Sequence, residues 1–323
     1  MSRVSVVIPN YNGLVYLKQC LRSLKEQTDK DFEIIVVDNG STEEGFKECM
    51  QEFQKVKWIL HEQNGGFSFA VNQGIAASSG EFVILLNNDT TVDNAFVSNL
   101  VRSMESHPDA FSVQALMVSM KDSERIDDAG DLFTIFGWSY ARGKGKKVSS
   151  YSKPVRIFSS CAGAAIYRKS IFDEIGLFDE NHFAYLEDVD IGYRARLYGY
   201  KNYYEPKAVV MHAGSASSGS RYNEFKIRLA AKNSIYLIYK NQPLWQRICL
   251  FPWHFCGIVI KQLFFIRKGY GKVYHDAVAE GLHFIRTSGA KEHKVKFHAA
   301  NHRNAFLLGL EQFFALFRIL FSA

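Results

Sequence analysis

The chain has 323 residues, 47% of them hydrophobic and 22% charged, with a formal net charge of +6. That balance excludes a disordered or fibrous chain and leaves apolar mass for one large domain or two smaller ones. Five cysteines, at positions 20, 49, 161, 249 and 256, form no Cys-x-x-Cys pair, which argues against a disulfide framework or a zinc site and for a reducing cytosol.

The first apolar run, Val4 to Ile8, is too short for a secretory signal and reads as a strand. A helix is expected over 15–26, with Leu17, Leu21 and Leu24 on one face. Strands over 33–37, 56–60 and 82–86 alternate with helices over 43–54, 68–77 and 95–105. Four βα units in succession imply a parallel sheet with right-handed crossovers. Residues 111–118 add a strand. Residues 121–157, broken by Gly130, Gly137, Gly143 and Gly145, read as a solvated basic loop. Alternation resumes over 159–168, 171–175 and 183–197, and 201–211 is a further strand. Beyond the Gly/Ser run at 214–220 the pattern is helical and aromatic.

Of five polar segments, three lie where strands end, the edge at which open α/β sheets bind ligands, and two open helices. The run Phe82 to Leu86 ends in Asn87-Asn88-Asp89, where a lone carboxylate beside two amides suits a diphosphate–metal site; a turn is the alternative. The run Ile34 to Val37 ends in Asp38, placed to hydrogen-bond a nucleoside or to start a turn. Asn64-Gly65-Gly66 opens a helix, so the backbone can approach an anion at the free N–H groups. Glu187, Asp188 and Asp190 crowd the first turn of a helix that Gly199 ends. One acid would satisfy the helix dipole; three repel, which raises a pKa and suits a general base. His212 closes the strand before Gly214 and is either structural or a metal ligand. The first βα turn, Pro9-Asn10-Tyr11-Asn12-Gly13, lacks G-x-G-x-x-G, which counts against a dehydrogenase.

Taken in order over about residues 1–220, these segments resemble family 2 inverting glycosyltransferases of the GT-A fold, closest to their rhamnosyltransferase-like branch. The resemblance implies a Rossmann-like, mostly parallel sheet flanked by helices in a catalytic domain over 1–220. It implies a sugar transferred with inversion from a nucleotide donor, such as dTDP-rhamnose, to a glycan or polyprenyl-diphosphate-linked glycan in bacterial cell-surface polysaccharide synthesis. Pro9, Asn10, Tyr11, Asp38, Asn64, Gly66, Asn87 and Asn88 would bind the donor. Asp89 and His212 would hold a weakly bound Mg²⁺ or Mn²⁺, weakly because Asn87 replaces the first acid of D-x-D. Asp188 would be the catalytic base, with Glu187 and Asp190 at the acceptor. A non-catalytic sugar-nucleotide-binding or membrane scaffold protein is the competing class.

Charge divides the chain. Residues 1–220 carry 23 Lys and Arg against 28 Asp and Glu; residues 221–323 carry 16 against five. The basic, aromatic C-terminal region is expected to be helical, with 247–267 and 306–321 lying on an anionic membrane surface. The apolar run around Pro252 and His254 falls short of the ~20 residues that span a bilayer. The alternative is a helical subdomain or homodimer interface. No nucleic-acid recognition motif is present. The expected location is cytoplasmic, peripheral on the inner face of the cell membrane.

Overall fold

The computed structural model describes residues 2–214 and 222–321, with side chains to residue 316. The Gly/Ser run from 215 to 220 and the side chains of Phe317 and Phe321 lie outside the described residues.

The chain begins with strand–helix alternation: β1 (Val4–Asn10), α1 (Leu14–Lys25), β2 (Phe32–Asn39), α2 (Phe46–Glu52), β3 (Lys57–His61), α3 (Phe67–Ala77) and β4 (Phe82–Leu86). These strands lie parallel in the order β4-β1-β2-β3. All five residues of β4 are buried, which is why its sequence is an unbroken apolar run. Side chains alternate across the sheet. Val6, Ile8, Val36, Ile84 and Leu86 share one core with Leu17, Leu21 and Leu24 of α1. Val7, Ile35, Val37, Val83 and Leu85 share the other with Val71 and Ile75 of α3.

The second half is β5 (Thr90–Val92), α4 (Phe96–Ser106), β6 (Ala110–Ser119), β7 (Asp122–Asp128), β8 (Asp131–Phe133), β9 (Ser139–Ala141), β10 (Val155–Ile157), β11 (Ala164–Arg168), α5 (Phe172–Ile175), α6 (Glu187–Leu197) and β12 (Lys201–His212). The full order is β10-β12-β6-β11-β4-β1-β2-β3, with β5 on β12 and β7 on β6. β12 runs parallel to β6, while β11 lies antiparallel between β6 and β4. The carboxyl ends of β1, β2, β4 and β12 therefore open at one edge, along which Asn10, Asp38, Asn87 to Asp89 and His212 lie.

The expected loop over 121–157 is folded instead. β7 pairs antiparallel with β6, β8 with β9, and β10 with β12. Ile126, Ala129, Phe133, Ile135 and Ile157 are buried. These strands are three to seven residues long, too short for alternation to show. Gly130, at φ +107°, makes a turn rather than ending order. Two other elements are shorter than expected. α2 starts only after Gly45, at φ +85°, and α6 starts at Glu187 because Phe183, Tyr185 and Leu186 hold positive φ.

The C-terminal region consists of α7 (Glu224–Asn241), α8 (Leu244–Arg267), α9 (Gly271–Phe284), α10 (Ser288–Glu292) and α11 (Ala299–Phe321). α11 lies along α6: Asn301 and Asn304 donate to the Leu197 carbonyl and Gln312 to the Tyr193 hydroxyl. α8 has 24 residues and, among the described residues, is the one helix long and apolar enough to cross a membrane. This corrects the expectation that its apolar run is too short. Gln246, His254 and Gly257 form its inner stripe, with Gly257 against Phe136 and Trp138. The outer face exposes Ile248, Phe251, Phe255 and Leu263.

Candidate active site at the strand ends

Asp38, 5% exposed at the end of β2, is already well bonded. Its Oδ1 accepts from Asn10 Nδ2 at 2.7 Å and Ser41 Oγ at 2.6 Å, and its Oδ2 from the Ser41 N–H at 3.0 Å. A carboxylate has about four lone-pair sites, so one is left for a ligand. Asn10 continues the chain of contacts: its Oδ1 accepts from Asn88 Nδ2 at 2.7 Å. A Cβ at Gly13 would run into the Asn88 amide. Pro9 is half-buried, and Tyr11 is exposed just past β1.

The Asn64–Gly66 turn is held by Asn39, which sequence reasoning did not single out. Its Nδ2 donates to Asn64 Oδ1 and the Gly66 carbonyl, and its Oδ1 accepts from the Gly65 N–H. Gly66 has φ +92°, and a Cβ there would lie 2.6 Å from the Phe183 carbonyl oxygen. Only glycine fits.

Asp89 and His212 come together. His212 Nε2 lies 3.2 Å from Asp89 Oδ1, and its Nδ1 lies 2.7 Å from Asp127 Oδ2. Asn87 is anchored beside them, its N–H donating to the Gly163 carbonyl. Burial opposes charge on His212, yet hydrogen bonds to Asp127 and Asp89 raise its pKa to about 9. Burial likewise opposes charge on Asp127, but His212 and Lys144 hold it below the usual carboxylate range. The donor set suits a hard divalent cation: cis ligands about 2.1 Å from an octahedral ion lie about 3 Å apart. A bound cation would displace the Nε2 proton that otherwise bridges to Asp89, and Asp127 bonded to the far nitrogen would leave Nε2 as the ligand atom.

Asp188 keeps contact with solvent in the first turn of α6. Burial pushes its carboxyl up to about 6, against hydrogen bonds from the Val189 and Ala162 N–H groups and the Cys161 thiol. Its surroundings are acidic. Burial, then the Asp188 charge, raises Glu187 and Asp131 well above the normal range, and burial takes Asp128 to about 7. Glu187 is buried, and its Oε2 has no hydrogen-bond partner among the described residues. Asp127, Asp128 and Asp131 all come from the segment expected to be a loop. Three acids in five residues were the signal that could have found them, the same crowding that marked 187–190.

Asp190, expected at the acceptor, is fully buried. Its Oδ2 accepts from Arg194 Nε at 3.0 Å and Lys240 Nζ at 2.9 Å, and its Oδ1 from Asn241 Nδ2 at 2.6 Å. It braces α6 against α7 and has no face toward a substrate. Asp179, His182 and Asp190 bring ligand atoms within 4.8 Å of one another. Lys240 Nζ bonds both carboxylates, so the cation place in that cluster is taken and the group does not fit a metal.

This geometry has relatives. The profile of the family described as "Glycosyl transferase family 2" matches residues 5–176. The chain belongs to glycosyl transferase family 2. It is 28% identical over 240 residues to the N-acetylglucosaminyl-diphospho-decaprenol L-rhamnosyltransferase of Mycobacterium tuberculosis, covering 66% of this chain and 77% of that protein. It is 34% identical over 106 residues to glycosyltransferase GlyG of Streptococcus pneumoniae, covering 32% of this chain and 35% of that protein. Among solved structures it resembles GalNAc-T7, crystallised with UDP, GalNAc and Mn²⁺. The TM-score is 0.61 at 19% identity, over 74% of this chain and 48% of that one, a likeness of fold. This family 2 enzyme is thus a glycosyltransferase.

Proposed function

We propose that the protein transfers a deoxyhexose, L-rhamnose, from dTDP-rhamnose to a hydroxyl of a polyprenyl-diphosphate-linked glycan, inverting the anomeric carbon, in bacterial cell-surface polysaccharide synthesis. The mycobacterial relative, named for rhamnosyl transfer to a decaprenol-linked N-acetylglucosamine, supports this donor and acceptor class. The observation that carries the reading is Asp188: a residue only partly buried in the first turn of α6, its carboxyl bonded to the Ala162 N–H beside the Gly163 carbonyl that anchors Asn87, and raised to about 6. Such a group is ionised at neutral pH yet basic enough to take a proton.

The reaction assigns each part a task. Asn10, Asp38 and the Gly66 turn bind the nucleotide. Asp89 and His212 would hold a divalent cation, which when bound neutralises charge on the departing diphosphate. Asp188 takes the acceptor hydroxyl's proton as that oxygen attacks the anomeric carbon from the side opposite the diphosphate, so a single displacement inverts it. The outer faces of α8 and α11 rest on the inner leaflet of the cell membrane, where a lipid-linked acceptor is found. Arg267, Lys268 and Arg303 are exposed for contact with anionic headgroups, whereas Lys261 turns inward over the Trp138 ring.

The test replaces Asp188 by Asn and follows transfer from dTDP-rhamnose to a short-chain prenyl-diphosphate-linked N-acetylglucosamine. Turnover should fall by roughly 10²–10⁴ with donor affinity unchanged. Near-parental turnover would reject Asp188 as the base.

A further inference from the structure

Phe183, Tyr185 and Leu186 hold φ of +57°, +68° and +69°. Three non-glycine residues in the left-handed region within four positions form a strained segment, and such strain persists only where the surroundings over-determine it. Here the constraint comes from one side chain on another element. Asn233 of α7, 1% exposed, directs its Nδ2 at three carbonyls of this segment. It donates to the carbonyl oxygens of His182 at 2.8 Å, Ala184 at 3.0 Å and Tyr185 at 2.8 Å. The amide has two hydrogens for three acceptors, and flipping it would set oxygen against oxygen, so its orientation is chemically determined.

The turn connects the two working ends of the site. Upstream, the Phe183 carbonyl accepts the Phe67 N–H at 2.7 Å, where Gly66 opens α3. Downstream, the next two residues are Glu187 and Asp188. The same face of α7 sends Lys240 and Asn241 to Asp190. The helix following residue 220 is therefore part of the apparatus that aims the α6 N-terminus.

We infer that Asn233 is a positioning residue for the base: its amide holds the strained turn 183–186 so that α6 starts at Glu187 and Asp188 faces the acceptor. The inference rests on the reading of Asp188 as the base. Because Asn39 holds the Gly65–Gly66 turn independently, loss of the Asn233 amide should reach turnover before donor binding.

The test uses the full chain with Asn233→Ala and Asn233→Asp. Aspartate matches asparagine in size but presents oxygen to three carbonyls. If the N–H donors matter, Asp loses as much as Ala; if volume alone matters, Asp behaves like the parent. With dTDP-rhamnose and the prenyl-linked acceptor, kcat should fall by about 10–10²-fold, the scale of a misplacement near 1 Å. Donor KM should stay within about twofold, and the acid limb of the pH profile should move. Hydrogen–deuterium exchange over 182–187 should quicken in both variants, with β1 and β2 unchanged. Parental kcat and pH profile in Asn233→Asp, or a rise in donor KM matching the loss in kcat, would overturn the inference. If Asn233 variants keep kcat while Asp188→Asn loses it, the inference fails and the base stands. If Asp188→Asn keeps turnover, both fail. A parent inert toward dTDP-rhamnose refutes that donor alone, and unchanged exchange over 182–187 would then overturn the inference.

Discussion

Replacing Lys240 by methionine should be among the most destabilising single changes in the chain. Lys240 is 3% exposed by side chain, Asp179 1% and Asp190 fully buried. Its Nζ lies 2.6 Å from Asp179 Oδ2 and 2.9 Å from Asp190 Oδ2. Methionine keeps the length of the side chain and removes the charge. Asp190 retains Arg194 and Asn241, whereas Asp179 retains only neutral donors, the Asn181 N–H and Nδ2 and the Tyr236 hydroxyl, with a half-exposed His293 3.6 Å away. Breaking a buried pair from one side costs about 3–5 kcal/mol, because a charge is left uncompensated. The sign with pH follows from Asp179. Burial would raise its pKa, but Lys240 overrides this and lowers it to about 2 from 3.8. A depressed folded-state pKa contributes stability that is present above the unfolded value and lost as pH falls through the folded one. In the variant the carboxyl stays buried without its lysine, so its pKa rises and protonation relieves it. The gap between parent and variant should therefore be full at pH 7 and narrow from about pH 5 to pH 2. Urea denaturation at several pH values measures it. A gap under about 1 kcal/mol at pH 7, or one that widens on acidification, would refute the reasoning.

Three further outcomes are expected. Asp127→Asn should weaken Mn²⁺ binding, read by calorimetry on the nucleotide complex, by roughly 10–100-fold through loss of the His212 orienting contact, with metal-free nucleotide affinity unchanged. Gly66→Ala should cost about 1–3 kcal/mol in chemical denaturation, because alanine at φ +92° is strained and meets the Phe183 carbonyl; an unchanged midpoint would refute that. Exchanging Arg267, Lys268 and Arg303 for glutamate should reduce cosedimentation with anionic vesicles, and added salt should reduce it in the parent; equal partition into neutral vesicles would count against the membrane reading.

The parallel half of the sheet was legible because β1, β2 and β4 are largely buried apolar runs between helices with apolar faces, so periodicity and position carry the same message. β4 needs no alternation to be recognised, since helices cover both its faces. The strand ends were legible for a related reason: Asp38, Asn87 to Asp89 and His212 each interrupt an apolar run abruptly. What stayed hidden depends on contacts between distant segments. Nothing local in Asp127 tells that His212, 85 positions on, will bond it. Asn233 and Lys240 sit in an ordinary helical pattern, and only packing of α7 on α6 gives them partners. Asp190 misled because crowding of acids marks a site equally well whether they face a ligand or an internal lysine.

The shared amide of Asn10 bears on any attempt to change which nucleotide is used. One end of it holds Asp38 and the other receives Asn88, the neighbour of Asp89. A substitution at Asp38 made to suit a different base leaves the Asn10 amide held on that side by Ser41 Oγ alone, at 3.2 Å, so the acceptor of Asn88, next to Asp89, is less firmly placed. If Asp38 reads the base and Asp89 the diphosphate as proposed, the two tasks are inherited together. A redesign would succeed only by exchanging Asp38, Asn10 and Asn88 as a set, and natural relatives with other donors should differ at these positions jointly.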